Sequence, residues 1–180
     1  MSNTTKLKLS KMDIARRQIE TAIRLWFASD EPVSIHTLAG AAHQVLHDLG
    51  KKQGSPTVLR DLSCVPPEYR KDLRKSLVSA ENFFKHADTD PGKILNFNPE
   101  ASEVFIFDAV CVYNALTRKS TPILTTLKTW IFVHHPKAVR IKDEDRALMN
   151  QVLLNGETNL AGVSKAEFYA YVLPLFSRNV

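Results

Sequence analysis

The stretch Asn98-Pro99-Glu100-Ala101-Ser102-Glu103-Val104-Phe105-Ile106-Phe107-Asp108-Ala109-Val110-Cys111-Val112-Tyr113-Asn114-Ala115-Leu116-Thr117 decides the fold class. From Val104 to Tyr113 it is rich in β-branched and aromatic residues, and a strand there would seed a sheet. Its start points the other way. Asn98 is a good N-cap, Pro99 suits the first helical position, and Glu100 complements the positive end of a helix dipole. The stretch also exceeds the length of an ordinary strand. It therefore reads as a helix from Asn98 to about Thr117, apolar nearly all round and so buried. Asp108 then places a carboxylate in an apolar setting, which requires a cationic or hydrogen-bonding partner; a histidine or lysine of the second or third helix is the natural candidate.

Outward from this stretch the hydrophobic period stays helical. Toward the N-terminus, Pro66-Pro67 opens a third helix with Tyr69, Leu73, Leu77, Ala80, Phe84 and Ala87 on one face, ending in the turn Asp88-Thr89-Asp90-Pro91-Gly92. Ser34 caps a second helix through Ile35, Leu38, Val45 and Leu49, with Gly50 as its left-handed stop. Ser10 to Asp13 starts a first helix carrying Ala15, Ile19, Ile23 and Trp26 to about Ser29. Toward the C-terminus, Thr121-Pro122 opens a fifth helix that stops before His135-Pro136, and a sixth runs from about Asp143 to Leu154. The capping box Ser164-Lys165-Ala166-Glu167 begins a seventh helix that ends before Pro174. Lys51 to Pro56 reads as an exposed loop and Ile94 to Phe97 as a short extended piece. No period-two strand pair with a hairpin turn occurs. The expectation is an all-α, single-domain bundle of about seven helices over residues 1–180, with residues 1–9 as a flexible tail. Leu73, Leu77, Phe84, Phe107 and Trp130 are expected to be buried.

Composition agrees with one soluble globular domain: 180 residues, 44% apolar, 24 Lys+Arg against 19 Asp+Glu and a net charge of +5. Neither disorder nor a fibrous repeat fits these values. The longest apolar run is interrupted by Asp108 and reaches only half of the ~20 residues that span a bilayer, so no membrane partner is expected. The N-terminal residues lack the apolar core of a secretory signal. Cys64 and Cys111, without a CxxC pair, suit reduced thiols, and a cytoplasmic location is the expectation. No Walker A, GxSxG, dinucleotide or calcium-loop pattern is present, so no cofactor is expected.

Three constellations could carry chemistry. His36, His43 and His47 share one flank of the second helix, next to Gly40, which lets a neighbouring helix or ligand come close. A His pair four apart can chelate zinc, but no further ligand is identified and HExxH is absent, so no metal site is assigned. On the third helix, Asn82, Lys85, His86 and Asp88 combine an amide, a cation, an imidazole and a carboxylate. With His36 they are the ligand-binding candidates, expected to converge on one cleft between the second and third helices. Residues 51–75 hold seven Lys and Arg against three acids. Within this basic patch, Lys71, Arg74 and Lys75 are the phosphate-contact candidates. The partners these groups fit are a small anionic ligand, RNA or another protein. The leading function is a binding module without a catalytic motif.

The run from Ile14 through Pro32-Val33-Ser34-Ile35-His36-Thr37-Leu38 to Asn82-Phe83-Phe84-Lys85-His86 resembles an uncharacterised family of small bacterial all-helical proteins. It is also similar to HEPN domains, helical bundles that often act as metal-independent ribonucleases. That resemblance implies RNA binding or cleavage using His86. The HEPN signature places an Arg four to six residues before the His, whereas here positions 79–81 are Ser-Ala-Glu and the nearest upstream Arg is Arg74.

Overall fold

The computed structural model describes residues 6–55, 58–62, 66–88, 90–136 and 160–178. Among these residues it contains seven α-helices and no strand. They are α1 (Lys11–Phe27), α2 (Pro32–Lys52), α3 (Val58–Asp61), α4 (Pro67–Lys85), α5 (Ala101–Thr117), α6 (Pro122–His134) and α7 (Lys165–Ser177), the last preceded by a 3₁₀ turn at Leu160–Gly162. The sixth helix expected from Asp143 to Leu154, Cys64 and the first part of the N-terminal tail lie outside the described residues. Among the described residues no helix is long and apolar enough to cross a membrane.

Local chemistry explains most helix starts. Ser10 and Asp13 form a reciprocal capping box on α1, and Ser164 and Glu167 form another on α7. Each satisfies two backbone N–H groups that the helix itself cannot. Thr121 caps α6, with Pro122 at the first position. On α2 the cap is Glu31 rather than Ser34. Its carboxylate accepts from the backbone N–H groups of Val33 and Ser34, and Pro32, which has no N–H to lose, takes the first turn. Gly50 does not stop α2. It is buried within the helix, and a Cβ there would meet the carbonyl oxygen of Ser55, so the chain turns back over it. In α5, Asn98 Oδ1 accepts from Glu100 N in a preliminary turn, and the regular helix begins three residues later than Asn98, at Ala101. Arg118 closes α5 in the left-handed region at φ 53°. Pro174 sits inside α7, close enough to its end that only the last turn loses a bond.

α1 and α2, joined by a short loop, pack along each other; α5 lies against α2 and α1, and α6 pairs with α7 while touching α1. The core is built from Ile19, Ile23, Leu46, Ile106, Val110, Leu124, Leu127 and Val172. An aromatic cluster closes one end. Trp26 meets Trp130 edge to face at 5.6 Å, and Phe27 stacks on Phe168 at 6.2 Å. Each such buried ring contributes about 1.5–3 kcal/mol of transfer free energy.

α4 is attached differently. Of its nineteen residues only Glu81 is buried, and its main packing partner is α2. Leu77 and Phe84 are half-buried, and Leu73, expected in the core, is 37% exposed. Phe107 is also half-buried, whereas Trp130 is buried as expected. The hydrophobic face of α4 thus meets the bundle only near its C-terminal half, and the expected apolar period runs past the point where there is anything to cover it.

Candidate functional site

Asp108 has the partner its position demands. Its Oδ2 accepts from Nε2 of His43 at 2.7 Å, on the histidine-bearing flank of α2. Both side chains are inside, His43 at 0% and Asp108 at 6% exposure. The same carboxylate accepts the backbone N–H groups of Val58 at 3.3 Å and Leu59 at 3.1 Å. These are two of the N–H groups that the first turn of α3 leaves without a helical acceptor, so Asp108 caps α3 from a remote element.

Two further residues extend the cluster: Arg60, in sequence only one charge of the basic patch, and Glu81, which no sequence signal marks as a site residue. Arg60 of α3 donates Nε–H to Nδ1 of His43 at 2.8 Å and an Nη2–H to Oε1 of Glu81 at 2.6 Å. Lys85 Nζ lies 3.9 Å from the other oxygen of Glu81. Gly40 makes room for this arm, since a Cβ there would stand 2.8 Å from the Glu81 side chain. The close approach expected at Gly40 is that of a neighbouring helix.

The bonds fix the tautomer of His43. Arginine keeps its protons, so Nδ1 must present a lone pair to Arg60. The ring proton then resides on Nε2, donated to Asp108, and the imidazole is neutral. The chain of charge reads carboxylate, neutral imidazole, guanidinium, carboxylate, with Lys85 balancing the outer end. His43 has both nitrogens engaged and no exposed surface, so it is not placed to serve as a general base toward a bound substrate. This cluster ties α3 and α4 to α2 and α5.

His36 occupies a second buried position. Its Nδ1 is 3.1 Å from Ser102 Oγ, and the rings of Phe97, Phe105 and Phe84 surround it at 5.1, 5.1 and 5.9 Å, all edge to face. Desolvation holds its pKa below the ordinary value, against the attraction of Glu81. Its Nε2 has no conventional hydrogen-bond partner. Ser102 Oγ and Nδ1 share one hydrogen bond, and the ring is otherwise enclosed by the three phenylalanines.

The other candidates stand elsewhere. Asn82, Lys85, His86 and Asp88 are exposed. His36 meets the Phe84 side of α4, and Asn82, two residues away, points about 200° around the helix. The structure therefore does not bring His36 into one cleft with Asn82 and His86, because α4 presents Glu81 and Phe84 to α2 instead. Asn82 shares its face with Lys71 and Lys75, with Arg74 and Lys85 on one side of that line and His86, the C-cap residue, at its end. Lys71, Arg74 and Lys75 are exposed as well. Arg60 leaves the basic patch for the interior. No group of three or more His, Cys, Asp or Glu among the described residues is placed to hold a metal ion. Comparison with protein-family models, curated proteins and solved structures returns no match.

Proposed function

We propose that the protein is a non-catalytic binding module that holds single-stranded RNA by its phosphates along the solvent face of α4. One observation carries this reading. Lys71, Arg74, Lys75, Asn82 and Lys85 line one exposed face of a helix that buries a single residue. From Lys71 to Lys85 this row is about 21 Å long at 1.5 Å per residue.

A row suits a polymer better than a small anion, because its cations are spaced along a line and do not converge on a point. It suits phosphates better than a protein surface, because Val78 is its one apolar side chain and protein interfaces are centred on an apolar core. Tyr69 lies off the row, so bases have no stacking platform on it and recognition would be independent of sequence. Glu68 and Asp72 flank one edge and confine the strand to the other. A cytoplasmic location, taken from the sparse cysteines, accords with such a partner.

The test is the salt dependence of binding to a labelled single-stranded RNA of about 12 nucleotides. Four phosphate contacts, from Lys71, Arg74, Lys75 and Lys85, give a slope of about −3 in log K against log salt, at about −0.7 per contact. Replacing Lys71 and Lys75 by Ala should flatten the slope by about 1.4 and leave the melting temperature unchanged. Binding that ignores salt, or no binding at low salt, overturns the proposal.

A further inference from the structure

We infer that His43 is a protonation-sensitive latch for the α3–α4 arm: the neutral imidazole accepts a bond from Arg60, and the imidazolium gives that bond up. The inference stands on the geometry of the buried cluster and does not depend on what α4 binds.

The charged and titratable groups that face His43 come from every element packed around it. They are Asp108 from α5, Arg60 from α3, Glu81 and Lys85 of α4 through Arg60, and His47 on α2 itself. With His43 neutral, two carboxylates balance two cations. A second ring proton would sit on Nδ1, facing the Nε–H of Arg60 across 2.8 Å. Two donors cannot share that contact, and the cluster would gain a third cation. Asp108 can keep the imidazolium, since its bond to Nε2 only strengthens. The link that must open is the one to Arg60.

Arg60 is also the guanidinium that holds Glu81, the one buried residue of α4. Opening that link leaves the arm with the two backbone bonds from α3 to Asp108 and the half-buried Leu77, Val78, Ala80, Phe83 and Phe84 of α4, whereas α1, α2, α5, α6 and α7 retain a common apolar core. Protonation at one buried nitrogen therefore loosens the α3–α4 arm on a bundle that stays folded, a local opening of lower free energy than global unfolding.

The experiment is a pH titration of the ¹⁵N-labelled full chain by NMR, from about pH 7.5 to about pH 5, across the range where histidine changes charge. At the upper end the His43 ring should show a proton on Nε2 and none on Nδ1. As Nδ1 gains its proton, exchange protection of the α4 amides, corrected for intrinsic rates, should fall about tenfold or more while α1 and α2 amides keep theirs. His43→Gln supplies an amide that can donate to Asp108 and accept from Arg60 but cannot take the proton, and its α4 amides should stay protected throughout. The latch is refuted if Nδ1 carries the proton at pH 7.5, if Nδ1 gains no proton by about pH 5, if α4 stays protected once Nδ1 has gained one, or if α4 loosens equally in His43→Gln. Should that variant not fold, the wild-type titration decides alone.

Discussion

The side chain of Glu81 passes 2.8 Å from the point where a Cβ on Gly40 would stand. Gly40 lies in the middle of α2, where alanine would ordinarily stabilise a helix by about 1 kcal/mol. Here it would push against a carboxylate held at 2.6 Å by Arg60. Gly40→Ala should therefore destabilise the protein by about 1–3 kcal/mol in urea titrations. In a Glu81→Ala background the obstruction is gone and the same substitution should stabilise. This reversal of sign separates a packing conflict from any other effect of Gly40.

Asp108 is the acceptor for His43 and for two backbone N–H groups of α3. Asp108→Ala removes all three bonds and leaves Arg60 without the histidine that its partner orients. A loss of about 3–5 kcal/mol is expected, as for breaking a buried ionic network by deleting one member. Asp108→Asn keeps an acceptor oxygen and should cost less. If the two substitutions cost the same, the carboxylate is not the centre of the cluster.

Burial holds the pKa of His36 below that of a histidine in an unfolded chain, about 6.5. On acidification the unfolded chain takes up the proton first. The contribution of His36 to stability is thus complete above that value and is lost as pH falls through it toward the lower folded-state pKa. His47, less buried, is shifted in the same direction, with desolvation again the main cause. The urea midpoint should be level above about pH 7 and decline below it. In His36→Phe, which fills an aromatic box with another ring, the decline should be shallower. An unchanged pH profile in that variant would remove His36 from this account.

What could be read from the sequence was what depends on neighbours along the chain. The boxes Ser10/Asp13 and Ser164/Glu167, and Thr121 with Pro122, fix helix starts through contacts three residues apart. The helical state of α5 follows from its N-terminal signals and its length in spite of β-rich composition, and the demand of Asp108 for a cationic or hydrogen-bonding partner, a histidine or a lysine, follows from its setting. α3 was invisible because four residues have little helical preference of their own. It is capped by Asp108, some 50 positions away in sequence. Arg60 counted as one more charge in a basic patch, since a charge sum cannot tell a side chain facing water from one facing His43. Side-by-side packing of consecutive helices, with the polar end of α4 against the His36–Gly40 flank, is what would bring His36 and Asn82 together. Which flank of α4 meets α2 is decided by Gly40, Glu81 and Phe84 together, and that pairing crosses the chain. The exposed row on α4 brings Lys71, Arg74 and Lys75 onto one face with Asn82 and Lys85.

The location of the partner on α4 is tested most directly by adding single-stranded RNA to the ¹⁵N-labelled protein at low salt and following every backbone amide. Resonances of Lys71, Arg74, Lys75, Asn82, Lys85 and His86 should move progressively, and should return on raising the salt, while those of His36 and His43 stay in place. Movement centred on another face of the bundle, or none at low salt, would contradict the assignment of α4 as the binding element.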